Sequence, residues 1–333
     1  VAPRQPHSST YRMQAFLDGF GSGFPAILSL ALIAVASGLL ARKGIFSEGM
    51  ITGIAKGSVA CFLPCLIFDK ITHGFNPASM PFWWILPISA LITFLIGWAL
   101  TAVIFMGDMR RKPDMIPLAF MHNAGYLSVA IGQDLFPEQA NAFGAYTFLY
   151  VLLYNPLLWT FGKYLISGGA ERPFRVREII TPPLCANLIA TAMVLAGWHR
   201  AIPRPVSSAI SMLGEAAIPL SLVVLGGTLA NTPFKFHHHG KDILRAVLIK
   251  LFLMPIIAIT ILHLSGLAAT EPMLCMFWVM QAAFPQATNL ILQIRAYGGN
   301  RERASAVLLA GYTGAILTLP FWIGIWQALQ SGA

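Results

Sequence analysis

The sequence predicts an all-α integral membrane protein with ten transmembrane helices in two inverted five-helix repeats. Three observations support this fold class: the composition, the number of long apolar blocks, and prolines that recur between the two halves. Of the 333 residues, 56% are hydrophobic and only 11% are charged, about half the charged fraction of an ordinary soluble domain. The apolar residues come in blocks of about 20, the length that a helix needs to cross a bilayer.

Ten apolar blocks are candidate transmembrane helices, separated by short connections that carry Gly, Pro and charged residues. The longest internal connection, around 167–177, divides the chain into a first repeat at 21–168 and a second repeat at 169–333, after a polar segment at 1–20. No cleavable signal peptide is predicted before Met13, the first methionine. The predicted helices are 24–42, 50–72, 82–106, 115–135, 141–166, 178–198, 206–230, 243–264, 273–297 and 304–329.

The net charge of +9 does not indicate a nucleic-acid partner, because Lys and Arg fall mainly in the short connections between apolar blocks. With the N-terminus outside, fifteen of these residues border inside connections and five border outside ones. The positive-inside rule then predicts that both termini lie outside. Lys56 and Lys250 lie within apolar blocks, and we expect their long stems to carry the charge to the membrane interface.

Prolines recur between the halves at separations of 155 to 164 residues. Each predicted repeat holds an odd number of helices, so the second repeat lies in the membrane with the opposite orientation. Inverted repeats of this kind are typical of carriers that work by alternating access. The matching pairs are Pro25 and Pro183, Pro64 and Pro219, Pro113 and Pro272, and Pro156 and Pro320.

Two predicted helices, the fourth and the ninth, are interrupted near their middles. The fourth contains the polar, glycine-bearing run 122–126, and the ninth contains Pro285, which has no N–H and whose ring clashes with the carbonyl of Gln281. Such backbone is tolerated at membrane depth only where protein or a water-filled cavity covers it. The free N-termini of half-helices favour anions, although ordinary kinks whose amides bond neighbouring helices are the alternative. The predicted substrate site comprises His122, Asn123, Gly125, Tyr126, Pro285, Gln286 and Asn289.

Two acidic residues in apolar blocks, Glu215 and Asp69, are candidates for coupling to a proton or cation. The alternatives are a structural ion pair or a position in headgroup water. The run 237–239, three consecutive histidines, is expected to be a solvated loop because its spacing suits a tetrahedral metal poorly. The four cysteines lie in apolar blocks without a metal-ligand pattern, and no metal or other cofactor is expected.

These segments resemble the auxin efflux carrier family, which includes plant PIN-type auxin exporters and bacterial organic-acid permeases. The resemblance covers nearly all of 20–330. The matching motifs are Leu63-Pro64-Cys65-Leu66-Ile67-Phe68, His122-Asn123-Ala124-Gly125-Tyr126-Leu127, Ile218-Pro219-Leu220-Ser221-Leu222, Leu225-Gly226-Gly227-Thr228-Leu229 and the Pro285 region.

The resemblance implies ten spans, outside termini, and scaffold and transport domains each drawn from both repeats. It implies that helices four and nine cross, with Asn123 and Pro285 at the crossover, and that a small organic anion is carried by elevator-type alternating access. The expected location is the bacterial inner membrane. The expected partners are that anion, a proton or sodium ion, the lipid bilayer and a second copy of the chain. The sequence lacks the plant Asn-Pro-Asn motif and a long central loop, so auxin is not the expected substrate.

Three alternatives are distinguishable. The bile acid:sodium symporter family shares the general fold, and membership would predict sodium dependence through Gln286, Asn289 and Gln293. An anion channel is the second alternative. An intramembrane enzyme is not expected, because the chain lacks His-Glu-x-x-His, Gly-x-Ser-x-Gly and paired catalytic aspartates.

Overall fold

The structure is a computed structural model that describes residues 8–167, 180–231 and 236–331. Within these ranges the chain forms fifteen α-helices, and its β-type pairing is confined to a bridge between His122 and Gln286. The predicted boundary between the repeats, at 168/169, lies outside the described residues.

The helices of the first part of the chain are α1 (Ser8–Arg42), α2 (Glu48–Gly57), α3 (Leu63–Gly74), α4 (Ile85–Ile104), α5 (Met115–Phe120), α6 (Tyr126–Leu135) and α7 (Ala140–Ile166). Those of the second part are α8 (Pro182–Leu195), α9 (Arg204–Glu215), α10 (Ala217–Ala230), α11 (Phe236–Leu248), α12 (Met254–Ser265), α13 (Pro272–Ala283), α14 (Asn289–Tyr297) and α15 (Arg301–Gln330). A π-helical turn at Ser58–Phe62 joins α2 to α3, and another at Ile249–Leu253 joins α11 to α12.

Six helical stretches of the described residues are long and apolar enough to cross a membrane. Many of their large apolar side chains are exposed on the protein surface, as lipid-facing side chains are. The protein is therefore an integral membrane protein whose described residues form an all-helical fold, and the total of ten spans stays a prediction. The six stretches are Thr10–Arg42, Glu48–Gly74, Ile85–Ile104, Arg204–Ala230, His239–Ser265 and Arg301–Gln330.

Helix α1 begins at Ser8, well before the residue 24 predicted from hydropathy. Its early turns are held by aromatic contacts: the ring of Phe20 lies 6.2 Å from that of Phe16 and 5.7 Å from that of Phe24. Phe16 also meets Phe321 of α15 edge to face, with the ring centroids 5.9 Å apart. Much of the segment predicted as a separate polar stretch at 1–20 is therefore part of α1, because packing on α15 adds stability that hydropathy does not register.

The main partners of α1 are α15 and α10. Glycines bring α1 and α10 together: a Cβ added to Gly226 would overlap the carbonyl oxygen of Ala34, and one added to Gly38 would lie 3.1 Å from the carbonyl oxygen of Gly226. Small residues of this kind let helix backbones approach closely within a membrane. The α1–α10 crossing therefore depends on the absence of side chains at these positions.

Ion pairs join the connection between α4 and α5 to helices α11 and α15. Lys112 lies 2.9 Å from Asp242, and Arg303 pairs with the buried Asp114. Arg245 donates to Asp108 at 2.7 Å and holds the pKa of that carboxyl below its ordinary value, with Lys112 acting in the same direction. The network fixes one end of three segments relative to each other.

The run of three histidines at 237–239 falls in the first turn of α11, so the prediction of a loop there was wrong. Helix α11 buries Ile243 and Ala246 in an apolar cluster that also contains Ile249. Burial of this face supports a helix whose first turn is polar.

Candidate functional site

The two predicted helix interruptions meet each other as a short antiparallel backbone pair. The N–H of Asn123 donates to the carbonyl of Pro285 at 2.9 Å, and the N–H of Ala287 donates to the carbonyl of Met121 at 2.9 Å. Backbone groups without a helical partner must find another one away from water. Each interruption therefore supplies the hydrogen bonds that the other lacks.

Local sequence explains where the half-helices end. Phe284, which precedes Pro285, is extended (φ −61°, ψ 144°), as a residue before proline prefers to be. Met121 is extended likewise (φ −71°, ψ 125°) and ends α5. The chain then re-enters a helix at Tyr126 and, on the other side, at Asn289.

A cavity of about 530 Å³ lies beside this crossing. The first residues of both new half-helices, Tyr126 of α6 and Asn289 of α14, line it together with Asn123 and Thr288. Tyr312 of α15 also lines it and accepts a hydrogen bond of 2.9 Å from the side-chain amide of Asn123. The remaining wall is mostly apolar, and Glu48 and Lys56 of α2 also line it. Polar groups thus converge where two helix N-termini meet.

His122 is buried behind the crossing and is absent from the cavity lining. Its Nε2 lies 3.1 Å from Oε1 of Gln281, and its backbone N–H donates to the Tyr154 hydroxyl at 2.6 Å. Gln281 in turn donates to the Ala124 carbonyl at 3.2 Å and to the Ser128 hydroxyl at 3.1 Å. This polar cluster ties the end of α13 to the interrupted backbone between α5 and α6.

Lys250 is fully buried, with 0% of its surface exposed. Its ammonium nitrogen donates to the carbonyls of Gln281 at 3.2 Å and Ala282 at 2.7 Å. The prediction that Lys250 reaches the membrane interface was wrong, because the end of α13 supplies acceptors inside the protein.

The side-chain amide of Gln286 is buried and has no hydrogen-bond partner among the described residues. It packs against Gly311 of α15, where an added Cβ would overlap its oxygen. Gln293 donates instead to the Leu158 carbonyl at 3.1 Å. Since Asn289 lies in the cavity lining, the three side chains expected to hold sodium in a bile-acid-type symporter occupy different surroundings.

The two candidate coupling carboxylates lie away from the crossing, and neither lines the cavity. Glu215 is exposed on the protein surface as the last residue of α9. Asp69 is buried near the end of α3, 3.1 Å from Nδ1 of His73 and 3.6 Å from Nζ of Lys70, and accepts a hydrogen bond from Ser211. The partners of Asp69 are typical of a structural cluster.

The seven predicted substrate-site residues therefore fall into four groups. Asn123, Tyr126 and Asn289 line the cavity. Pro285 lines an adjoining cavity of about 290 Å³, which shares Tyr312 with the first. His122 and Gln286 form the bridge pair, and Gly125 immediately precedes α6. Four side chains that lie at or near the crossing were not predicted to lie there: Tyr312, Tyr154, Lys250 and Gln281.

Comparisons with known proteins identify the family to which the chain belongs. A family model described as "Membrane transport protein" matches residues 23–173 and 170–323. PIN-LIKES 1 of Arabidopsis thaliana is 24% identical over 326 residues, covering 78% of this chain and 69% of that protein. PIN-LIKES 7 of the same plant is 20% identical over 384 residues, covering 92% of this chain and 97% of that protein.

A bacterial relative is similar over a shorter stretch. The "Putative malonate transporter" of Rhizobium meliloti (strain 1021) is 34% identical over 131 residues, 39% of each chain. The family model, in contrast, spans nearly the whole sequence. The chain therefore belongs to the membrane transport protein family, the auxin efflux carrier family of PIN-like proteins.

Proposed function

We propose that the protein is a secondary carrier of small organic anions that binds its substrate in the cavity beside the helix crossing. The observation that carries the proposal is the meeting of two helix N-termini at one cavity, where Tyr126 and Asn289 are the first residues of α6 and α14. Each such terminus favours an anion by about 0.3–2 kcal/mol. Two such termini at one cavity favour binding of a carboxylate even though no arginine lines the cavity among the described residues.

The side chains of the cavity suit the same ligand. Asn123 and Asn289 carry amide donors, and Thr288 and Tyr312 carry hydroxyl donors. Lys56 and Glu48 of α2 also line the cavity, and together they add no net formal charge. Charge-assisted hydrogen bonds to a carboxylate are stronger than those between neutral groups, and the apolar remainder of the wall would contact the carbon skeleton.

We further propose that the ten predicted spans form two inverted five-helix repeats that alternate access to this cavity. The support is that both interruptions fall in the fourth helix of their half and pair with each other. In this proposal the transport domain moves past the scaffold as an elevator, both termini lie outside the bacterial inner membrane, and the chain forms a homodimer. In this proposal Glu215 is the site of proton coupling. Asp69 is the less suitable candidate because its carboxylate is already held by Lys70, His73 and Ser211.

The test begins with purified full-length protein and a thermal-shift series of mono- and dicarboxylates. Malonate is the first of these anions, because one relative carries it in its name. An anion that binds the folded state raises the melting temperature, and labelled uptake into proteoliposomes then follows for the best ligand. Saturable uptake with counterflow indicates a carrier, whereas unsaturable flux would indicate a channel.

Asn123→Asp tests the location of the site. A carboxylate placed at the two helix N-termini would repel the anion and compete for the same donors, so we expect affinity to fall at least tenfold. Asn123→Ala should weaken binding less, because it removes a donor without adding charge. The control is Gln139→Glu, which adds the same charge at an exposed position away from the cavity. Unchanged affinity in Asn123→Asp would place the site elsewhere.

A further inference from the structure

Lys250 lies in a backbone irregularity that places its side chain against α13. The residue belongs to the π-helical turn Ile249–Leu253, which precedes Pro255. Proline at 255 leaves the carbonyl of Leu251 without its helical donor, and the indole N–H of Trp322 supplies one at 2.7 Å. The turn is thus held from α15, and π-helical turns of this kind occur often at functional sites.

The acceptors of Lys250 are carbonyls that the helix itself leaves open. Gln281 would normally accept from the residue four positions later, but that residue is Pro285, which has no N–H. Ala282 belongs to the last turn of α13, which ends at Ala283. Two adjacent carbonyls at the negative end of a helix form a favourable place for a positive charge.

No carboxylate pairs with Lys250 anywhere in the part of the chain that the structure describes. Burying a charge is costly unless other groups compensate for the lost water. Here the compensation comes from the two carbonyls, at 3.2 and 2.7 Å. The coordination therefore resembles that of a small monovalent cation held by backbone oxygens rather than that of an ion pair.

We propose that the Lys250 ammonium is a tethered monovalent cation, which occupies a backbone site at the end of α13 that would otherwise bind a free ammonium or alkali-metal ion. Because the carbonyls belong to the end of α13 beside the crossing, the ammonium stabilises the backbone next to the substrate cavity and needs no ion from solution. The protein therefore folds and holds its crossing without sodium. This inference concerns cation binding and is measured without substrate, so it is independent of the proposed anion transport.

The experiment compares Lys250→Ala with Lys250→Met. The alanine variant removes the charge and leaves space beside the carbonyls, whereas methionine removes the charge and fills most of that space. Melting temperatures of the full-length proteins are measured in ammonium, potassium, sodium and N-methylglucamine chlorides at constant ionic strength. We expect ammonium or potassium to raise the melting temperature of Lys250→Ala by about 2–4 °C relative to N-methylglucamine, in a saturable manner.

Wild-type protein and Lys250→Met should show no such difference between the cations. A saturable shift in wild type would mean that a cation site remains open beside Lys250, and equal shifts in both variants would mean a general salt effect. Either result would overturn the inference. So would a Lys250→Ala protein that melts identically in all four salts or is unfolded in all of them. A Lys250→Ala protein that folds only when ammonium or potassium is present would support the inference directly.

Discussion

Asn123 serves two purposes with different atoms. Its backbone N–H pairs with Pro285 at 2.9 Å and helps to hold the crossing, while its side-chain amide donates to the Tyr312 hydroxyl at the cavity wall. The backbone role depends on position alone, and the side-chain role depends on residue type. Substitutions at Asn123 can therefore separate loss of the proposed substrate binding from loss of structure.

Glu215 tests whether transport is coupled to protons. Glu215→Gln resembles the protonated acid but can neither gain nor lose a proton. We expect the variant to bind substrate as wild type does, because Glu215 does not line the cavity, yet to lose the dependence of uptake on a pH gradient. The measurement is initial uptake into proteoliposomes with and without an inward proton gradient.

Glu138→Gln is the matched control, because Glu138 is also exposed and lies outside the cavity lining. It should keep the wild-type response to the gradient. If Glu215→Gln keeps that response as well, Glu215 is not the coupling residue. The structural ion pair considered as an alternative for Glu215 does not form with the buried Lys250, whose ammonium donates to the carbonyls of Gln281 and Ala282.

Some residues at the candidate site could be predicted from the sequence, whereas the positions of others could not. Asn123, Tyr126 and Asn289 stand out because amides and a tyrosine at a helix interruption are unusual in an apolar block. Lys250 was misjudged because hydropathy shows a charged residue in an apolar helix but not the acceptors across the fold. Tyr312 has no local signal at all, since a tyrosine in a long apolar helix is ordinary.

Among the helices, α1 and α10 show how little space separates some backbones. Gly226→Ala places a methyl group against the carbonyl of Ala34, which is rigid backbone and cannot turn aside. We expect a loss of about 1–3 kcal/mol of stability from this overpacking. A fall in melting temperature, measured in detergent on full-length protein, is the readout.

Gly21→Ala is the control for Gly226→Ala. Gly21 also lies inside a helix, but an added Cβ there meets no atom within 4 Å. Alanine is the better helix former by roughly 0.5–1 kcal/mol, so this variant should be as stable as wild type or slightly more so. Equal destabilisation of both variants would show that the α1–α10 approach is not the cause.

Helix bounds were predictable where hydropathy and breakers agree. The interruption around Pro285 was expected, and α13 does end at Ala283 with α14 starting at Asn289. The early start of α1 was missed because its first turns are stabilised by rings of α15 that are distant in sequence. The π-helical turn at 249–253 was missed as well, since its extra residue per turn leaves no signature in composition.

For the whole molecule, the distribution of Lys and Arg predicts its orientation. Ile45 lies in the connection between α1 and α2, which is predicted to be inside, and Ala201 lies in the connection between α8 and α9, which is predicted to be outside. The two test variants are Ile45→Cys and Ala201→Cys. In intact cells an impermeant maleimide should label Ala201→Cys and leave Ile45→Cys unlabelled. The background carries serine in place of the native cysteines, which are Cys61, Cys65, Cys185 and Cys275.

Both engineered positions are exposed on the protein surface, so both should be labelled once the membrane is permeabilised. Labelling of Ile45→Cys alone in intact cells would show that the orientation is the reverse of the predicted one.

The membrane class itself followed from composition, because no arrangement of so few charges covers a water-soluble surface of this size. The relative placement of the two halves could not follow, since it depends on contacts between residues more than 150 positions apart.

Two of the hydrogen bonds that join the interruptions connect main-chain atoms, at Met121, Asn123, Pro285 and Ala287. Every residue carries a carbonyl, and every residue except proline carries an N–H. Side chains of the cavity wall can therefore be substituted without removing these backbone hydrogen bonds. Diversification of this scaffold, in nature or by directed evolution, could therefore exchange Tyr126, Thr288 and Asn289 of the cavity lining while these two backbone hydrogen bonds are kept.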